Sequence, residues 1–202
     1  MKKMTEGNPL YLIISFALPV LLGNLFQTFY NIVDLSIVNK ALGQDALAGV
    51  GSTFPITGLI FGFINGLNNG FSIIISQHFG AGNTKEMKRS LAATMVMAFG
   101  ITLILTVLCY FFAKDILLLL NTSPALINDA YDYISVLFLG MLFTMLYNMF
   151  AGILRAIGNS IIPLVFLVVS ALLNIVLDYV FVIILPYGIK GAASATIVSQ
   201  AI

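Results

Sequence analysis

Apolar residues run through this chain in long unbroken stretches rather than at the mixed spacing of a surface helix. Five stretches, at 10–38, 46–76, 91–112, 131–151 and 161–185, are long enough to cross a bilayer as helices. A hydrocarbon core of about 30 Å needs roughly 20 such residues, and strands of a membrane barrel would need only about 10. A sixth stretch, 191–202, opens with small residues and supplies only 12 positions, about 18 Å of helix at 1.5 Å per residue. It is expected to be an incomplete sixth span. Between the second and third stretches, Gly80 and Gly82 are expected to close one helix, and Asn83 with Glu86 to open the next as a capping box. A phosphate-cradling glycine loop is the weaker reading of this segment, since it lacks the Lys-Ser/Thr ending and a preceding strand.

The polar residues inside these stretches fall on stripes. Asn24, Gln27, Asn31 and Asp34 occupy an arc of roughly 80° on the first helix. Asn65, Asn69, Ser72 and Ser76 share a face of the second, and Ser170, Asn174 and Asp178 recur every four residues on the fifth. Amides facing lipid would stay unsatisfied, so three polar stripes predict a common interior cavity, with Gln27, Asn31, Asn65 and Asn69 as candidate lining residues. Amides such as Asn24, Asn65 and Asn69 can equally serve as glue between helices. For Asp34 and Asp178 that role is less apt, because an acid at membrane depth costs about 2.5–3.5 kcal/mol on insertion scales. Two acids with no intramembrane Lys or Arg beside them suit a site that takes up H⁺ or Na⁺. Gly58, Gly62, Gly66 and Gly70 form a ridge that predicts close approach of a neighbouring backbone. Pro19 and Pro55 are expected to bend or locally open their helices.

Composition narrows the class. With 60% of its 202 residues apolar and 8% charged, the chain departs from soluble domains, which carry about 25% charge. Nine basic against eight acidic residues leave no surface for nucleic acid, and one cysteine and one histidine exclude a disulfide scaffold and a multi-histidine zinc site. Enzyme readings fare poorly: Gly-x-Gly-Asp, Gly-x-Ser-x-Gly and His-Glu-x-x-His are all missing. Counting loops alternately places Lys2, Lys3, Lys85, Lys88, Arg89 and Arg155 on one side and Lys40, Lys114 and Lys190 on the other, which predicts a multi-pass protein of the cell membrane with a cytoplasmic N-terminus.

Ordered segments then carry a family resemblance. Pro19; Asn31-Ile32-Val33-Asp34 followed by Leu42-Gly43 and Ala46-Leu47-Ala48; Gly80-Ala81-Gly82-Asn83; Arg155-Ala156-Ile157-Gly158-Asn159 with Pro163; Asn174-Ile175-Val176-Leu177-Asp178; and Gly191-Ala192-Ala193 with Ala195-Thr196 together resemble the multidrug and toxic compound extrusion (MATE) transporters, particularly their bacterial DinF-like branch. The resemblance implies an all-α membrane protein in which 1–202 is the N-terminal six-helix lobe of a twelve-helix transporter, with its sixth helix truncated. It implies a cation site made from Asp34, Asn174, Asp178 and Thr196. It also implies ion-coupled antiport of a small organic, often cationic, substrate, with H⁺ or Na⁺ as coupling ion and no other cofactor. The expected partners are membrane lipid and a missing C-terminal lobe or a second copy. A lipid-linked saccharide flippase of the same superfamily and a non-transporting membrane assembly subunit remain the alternative readings.

Overall fold

A computed structural model describes residues 7–202, so Lys2 and Lys3 of the charge count lie outside the described residues. Helix α1 runs over Pro9–Leu42, about 50 Å at 1.5 Å per residue. Asn8 caps it by accepting from the Leu10 N–H at 3.1 Å, Pro9 occupies the first turn where no N–H is needed, and Gly43 at φ 91° ends it. Pro19 does not interrupt the helix.

The second stretch is two helices rather than one. Helix α2, Gln44–Ser52, stops at the buried Thr53, and α3, Phe54–Gly80, starts there with Pro55 in its first turn. Proline has no N–H to continue the ladder from α2, so Pro55 begins a helix instead of bending one. The turn after α3 closes with Asn83 N–H donating to the His78 carbonyl at 3.0 Å, Gly82 sitting at φ 69°. Asn83 then caps α4, Thr84–Leu119, by accepting from the Glu86 N–H at 3.2 Å. Only half of the expected capping box forms, since the Asn83 N–H is spent on His78.

The fourth stretch also divides. Helices α5, Ile127–Leu139, and α6, Met141–Ala156, meet at Gly140 with a bend of 52°. Helix α7, Ile161–Asp178, passes directly into a π-helical turn over Tyr179–Ile184, and α8 covers Ile189–Ala201. Among the described residues, four helices are long and apolar enough to cross a membrane, or up to five if α5 and α6 form one broken span.

Two apolar clusters hold these elements. One joins α3, α4, α5 and α6 through Ile64, Leu117, Ile134, Phe138 and Met145; the other joins α1, α2, α5 and α8 through Val38, Val50, Leu137 and Ala193. Helix α1 leans along α7, which packs on α8. Most of α1 is nevertheless uncovered, with only Gly23, Asp34 and Val38 buried. The glycine ridge of α3 is uncovered too: no atom of another element lies within 4 Å of a Cβ built at Gly58, Gly62, Gly66 or Gly70. The close helix contact expected there is absent among the described residues, and the close approaches occur at Gly49, Gly140, Gly152 and Gly191 instead.

Candidate functional site

Site geometry begins with the four-residue spacing of α7, which turns Ser170, Asn174 and Asp178 toward α8. The Ser170 hydroxyl donates to the Ser199 carbonyl at 2.8 Å, and the Asn174 amide donates to Thr196 Oγ1 at 3.4 Å. Thr196 Oγ1 in turn donates to the Ala192 carbonyl at 3.3 Å, leaving one of its lone pairs available. Asp34 reaches the same place from α1. Its side chain and that of Asp178 are within interaction range of each other.

Burial makes this cluster unusual. Asp178 is 0% exposed, Asn174 1% and Asp34 6%. Among the described residues, Asp34 Oδ1, Asn174 Oδ1 and both carboxyl oxygens of Asp178 have no hydrogen-bond partner outside the Asp34–Asp178 pair itself. Buried polar atoms are normally paired, so a convergence of acceptor oxygens from two helices, α1 and α7, is a set of vacancies for something positive. The two ion pairs formed among the described residues, Arg89–Glu86 at 4.0 Å and Lys190–Asp132 at 3.1 Å, involve neither acid. The tyrosines Tyr30 and Tyr133 stand within electrostatic range of both.

Asp34 and Thr196 also line a cavity of about 470 Å³ that opens between α1, α3, α5, α6 and α8. Gln27, Asn31 and Asn65 line it with them, as do Phe61, Tyr133 and Tyr147. Its wall contains no Lys, Arg or His. Asn69 is different: it is exposed and borders none of the cavities described. Asn68, which the stripe reading passes over, is 5% exposed with neither amide atom hydrogen-bonded. The signal for it was present, because Ile60, Ile64, Asn68 and Ile75 keep the spacing of the buried face of α3.

This arrangement coincides with a match to known proteins. A family model described as MatE matches residues 19–180. The chain belongs to the MatE family. It is 36% identical over 200 residues to "Probable multidrug resistance protein YpnP" of Bacillus subtilis, covering 98% of this chain and 44% of YpnP. Over 188 residues it is 35% identical to "Probable multidrug resistance protein YoeA" of the same organism, covering 91% of this chain and 41% of that one. A crystal structure of a MATE protein in the bent conformation superposes with a TM-score of 0.91 at 28% identity, over 99% of this chain and 45% of that one. The chain thus spans less than half the length of the curated relatives it matches, and its all-helical, multi-pass fold is that of the N-terminal MATE lobe.

Proposed function

We propose that this chain forms the first lobe of an ion-coupled multidrug exporter. In this reading H⁺ or Na⁺ enters between Asp34 and Asp178, with Asn174 Oδ1 and Thr196 Oγ1 as further oxygen ligands, and an organic cation occupies the adjoining cavity. The carrying observation is the set of unpaired buried oxygens contributed by α1 and α7 beside Thr196 of α8. An oxygen set of this kind suits a hard monovalent cation or a shared proton, and occupation by either satisfies acceptors that otherwise stay orphaned.

Coupling follows from what the two ligands share. Asp34 serves both the cation cluster and the cavity wall, so a cation held there withdraws its negative charge from an organic cation in the cavity. Phe61, Tyr133 and Tyr147 offer ring faces to such a substrate, and a volume of about 470 Å³ falls in the range of drug-sized sites. The names of YpnP and YoeA as multidrug resistance proteins agree with this reading. A flippase for lipid-linked saccharide pyrophosphates fits less well, since the cavity wall offers no cationic side chain. We place the N-terminus in the cytoplasm and assign the protein no enzymatic reaction.

The test is efflux of a fluorescent organic cation from vesicles containing the complete transporter, driven by an imposed H⁺ or Na⁺ gradient. Gradient-dependent efflux that Asp34→Asn and Asp178→Asn each abolish supports the reading. Membrane insertion with no flux under either gradient favours the assembly-subunit alternative.

A further inference from the structure

A second pocket lies between α1, α6 and α7, at the end of the bundle where α6 turns into α7. It measures about 60 Å³, too small for a drug-sized molecule, which needs several hundred. Its wall combines the guanidinium of Arg155 with Asn24, Gln27, Tyr147, Asn148 and Ser160. No carboxylate lines it. Arg155 makes no ion pair among the described residues, although it is half-buried in the last turn of α6. Ser160, 6% exposed, stands in the same wall, and its hydroxyl makes no hydrogen bond to protein among the described residues.

These features are hard to explain as packing alone. A guanidinium without an ion pair and a hydroxyl without a protein partner, both at one small opening, suit an acceptor-rich guest. Arg presents five N–H donors in a planar fork, and neutral donors from α1 and the α6–α7 turn face the same space from other directions. A planar carboxylate saturates the fork and leaves those outer donors idle. A tetrahedral oxyanion, with oxygens on several sides, engages them together. The pocket also has an apolar flank in Val20, Leu164 and Leu167. By parity of the spans it lies on the same side as Lys85, Lys88 and Arg89 of the α3–α4 turn, and α7 begins beside it at Ile161. The Arg155–Ser160 end of the pocket, where α6 ends and α7 begins, is therefore its part nearest the membrane–water boundary, where phosphate groups are concentrated and basic pockets between spans hold lipid headgroups.

We propose that the Arg155 pocket is a binding site for a phosphate oxyanion, supplied either by a phospholipid headgroup or by free phosphate. It shares Gln27, Tyr147 and Asn148 with the wall of the larger cavity, includes neither Asp34 nor Asp178, and does not rest on the export reading. An anion bound here ties α1 and α6 to the start of α7 through donors on α1, on α6 and on Ser160, the residue that precedes α7.

The experiment compares the complete protein with Arg155→Gln, Arg155→Lys and the distant surface change Lys114→Gln. Each is placed in phosphatidylcholine nanodiscs with and without phosphatidylglycerol, and lipid retained through delipidation is identified by native mass spectrometry. Inorganic phosphate is added as a competitor. Retention of phosphatidylglycerol that falls about tenfold in Arg155→Gln, recovers in part with Arg155→Lys and is unchanged in Lys114→Gln supports the site. Displacement of that lipid by inorganic phosphate shows that the phosphate group alone suffices; failure to displace it shows that the headgroup's glycerol stem contributes. Ser160→Ala, with about a severalfold smaller effect, serves as the second variant if Arg155→Gln does not fold. Equal retention by the wild type and the folded Arg155 or Ser160 variants, or no retained phosphate compound in any of them, overturns the proposal. So does a cross-link showing an acidic side chain of the same protein seated on Arg155.

Discussion

Asp178 sits at the last α-helical position of α7 with both carboxyl oxygens buried and unpaired, and Asp34 faces it from α1. Exchanging either for Asn keeps the volume and removes the charge. In the complete transporter we expect each exchange to lower gradient-driven efflux by about a hundredfold or more, and the double exchange to add little, because groups acting as one unit are not additive. Near-normal efflux in one single variant, measured at equal membrane content, removes that residue from the coupling step. Asn68 gives a contrasting prediction. Its unpaired amide is buried on the face of α3 that carries Ile60, Ile64 and Ile75, so Asn68→Leu is expected to raise thermal stability in detergent by about 1–3 kcal/mol. A loss of stability instead reveals that the amide has a partner in the native membrane. Both acids were legible in the sequence because charge at membrane depth is costly wherever it occurs. Asn68 carried a weaker signal, its spacing with Ile60, Ile64 and Ile75, which the polar stripe of α3 outcompetes until the helix face is known.

At the scale of elements, the sequence marks where helices are apolar but not where they break. The 46–76 stretch reads as one span by hydropathy, yet Pro55 splits it, and the 131–151 stretch conceals the bend at Gly140. A side chain from far along the chain is seated in that bend. The side chain of Ile197 occupies the space where a Cβ at residue 140 would stand, one position after Thr196 of the candidate site. Gly191 is held as tightly, with a Cβ built there 2.9 Å from the Phe181 carbonyl oxygen inside the π-helical turn that follows Asp178. A π turn widens the helix locally and often marks a functional position. Gly191→Ala is therefore expected to cost about 1–3 kcal/mol, since backbone rather than a pliable side chain must move. Ile197→Ala is expected to cost about 2–5 kcal/mol as a core truncation and to relax the bend at Gly140. Distance measurements between spin labels on α5 and α6 read the second effect directly. An unchanged bend in a folded Ile197→Ala protein shows that Gly140 sets the angle without its wedge.

The whole molecule leaves one broad face open, formed by α1 and the glycine ridge of α3, and the orientation of that face in the membrane depends on charge. Basic residues bias a loop toward the cytoplasm, whereas acidic ones count for little. Among the described residues Lys85, Lys88, Arg89 and Arg155 lie on one side by parity, and Lys40, Lys114 and Lys190 on the other. The margin is narrow in number but not in arrangement. Lys85, Lys88 and Arg89 are concentrated at one short turn, while Lys190 is paired with Asp132 at 3.1 Å. Topology should follow the concentrated cluster, because orientation is set by positive charge in short loops close to the span ends. A single cysteine introduced at Lys88, with Cys109 replaced by Ala, is expected to react with a membrane-impermeant maleimide only after cells are opened. One introduced at Lys114 is expected to react in intact cells. Exchanging Lys85, Lys88 and Arg89 together for Gln removes most of the bias and is expected to yield a mixed population with both patterns. Reaction at position 88 in intact cells, with the cluster in place, would reverse the assignment and put the mouth of the Arg155 pocket on the outer surface.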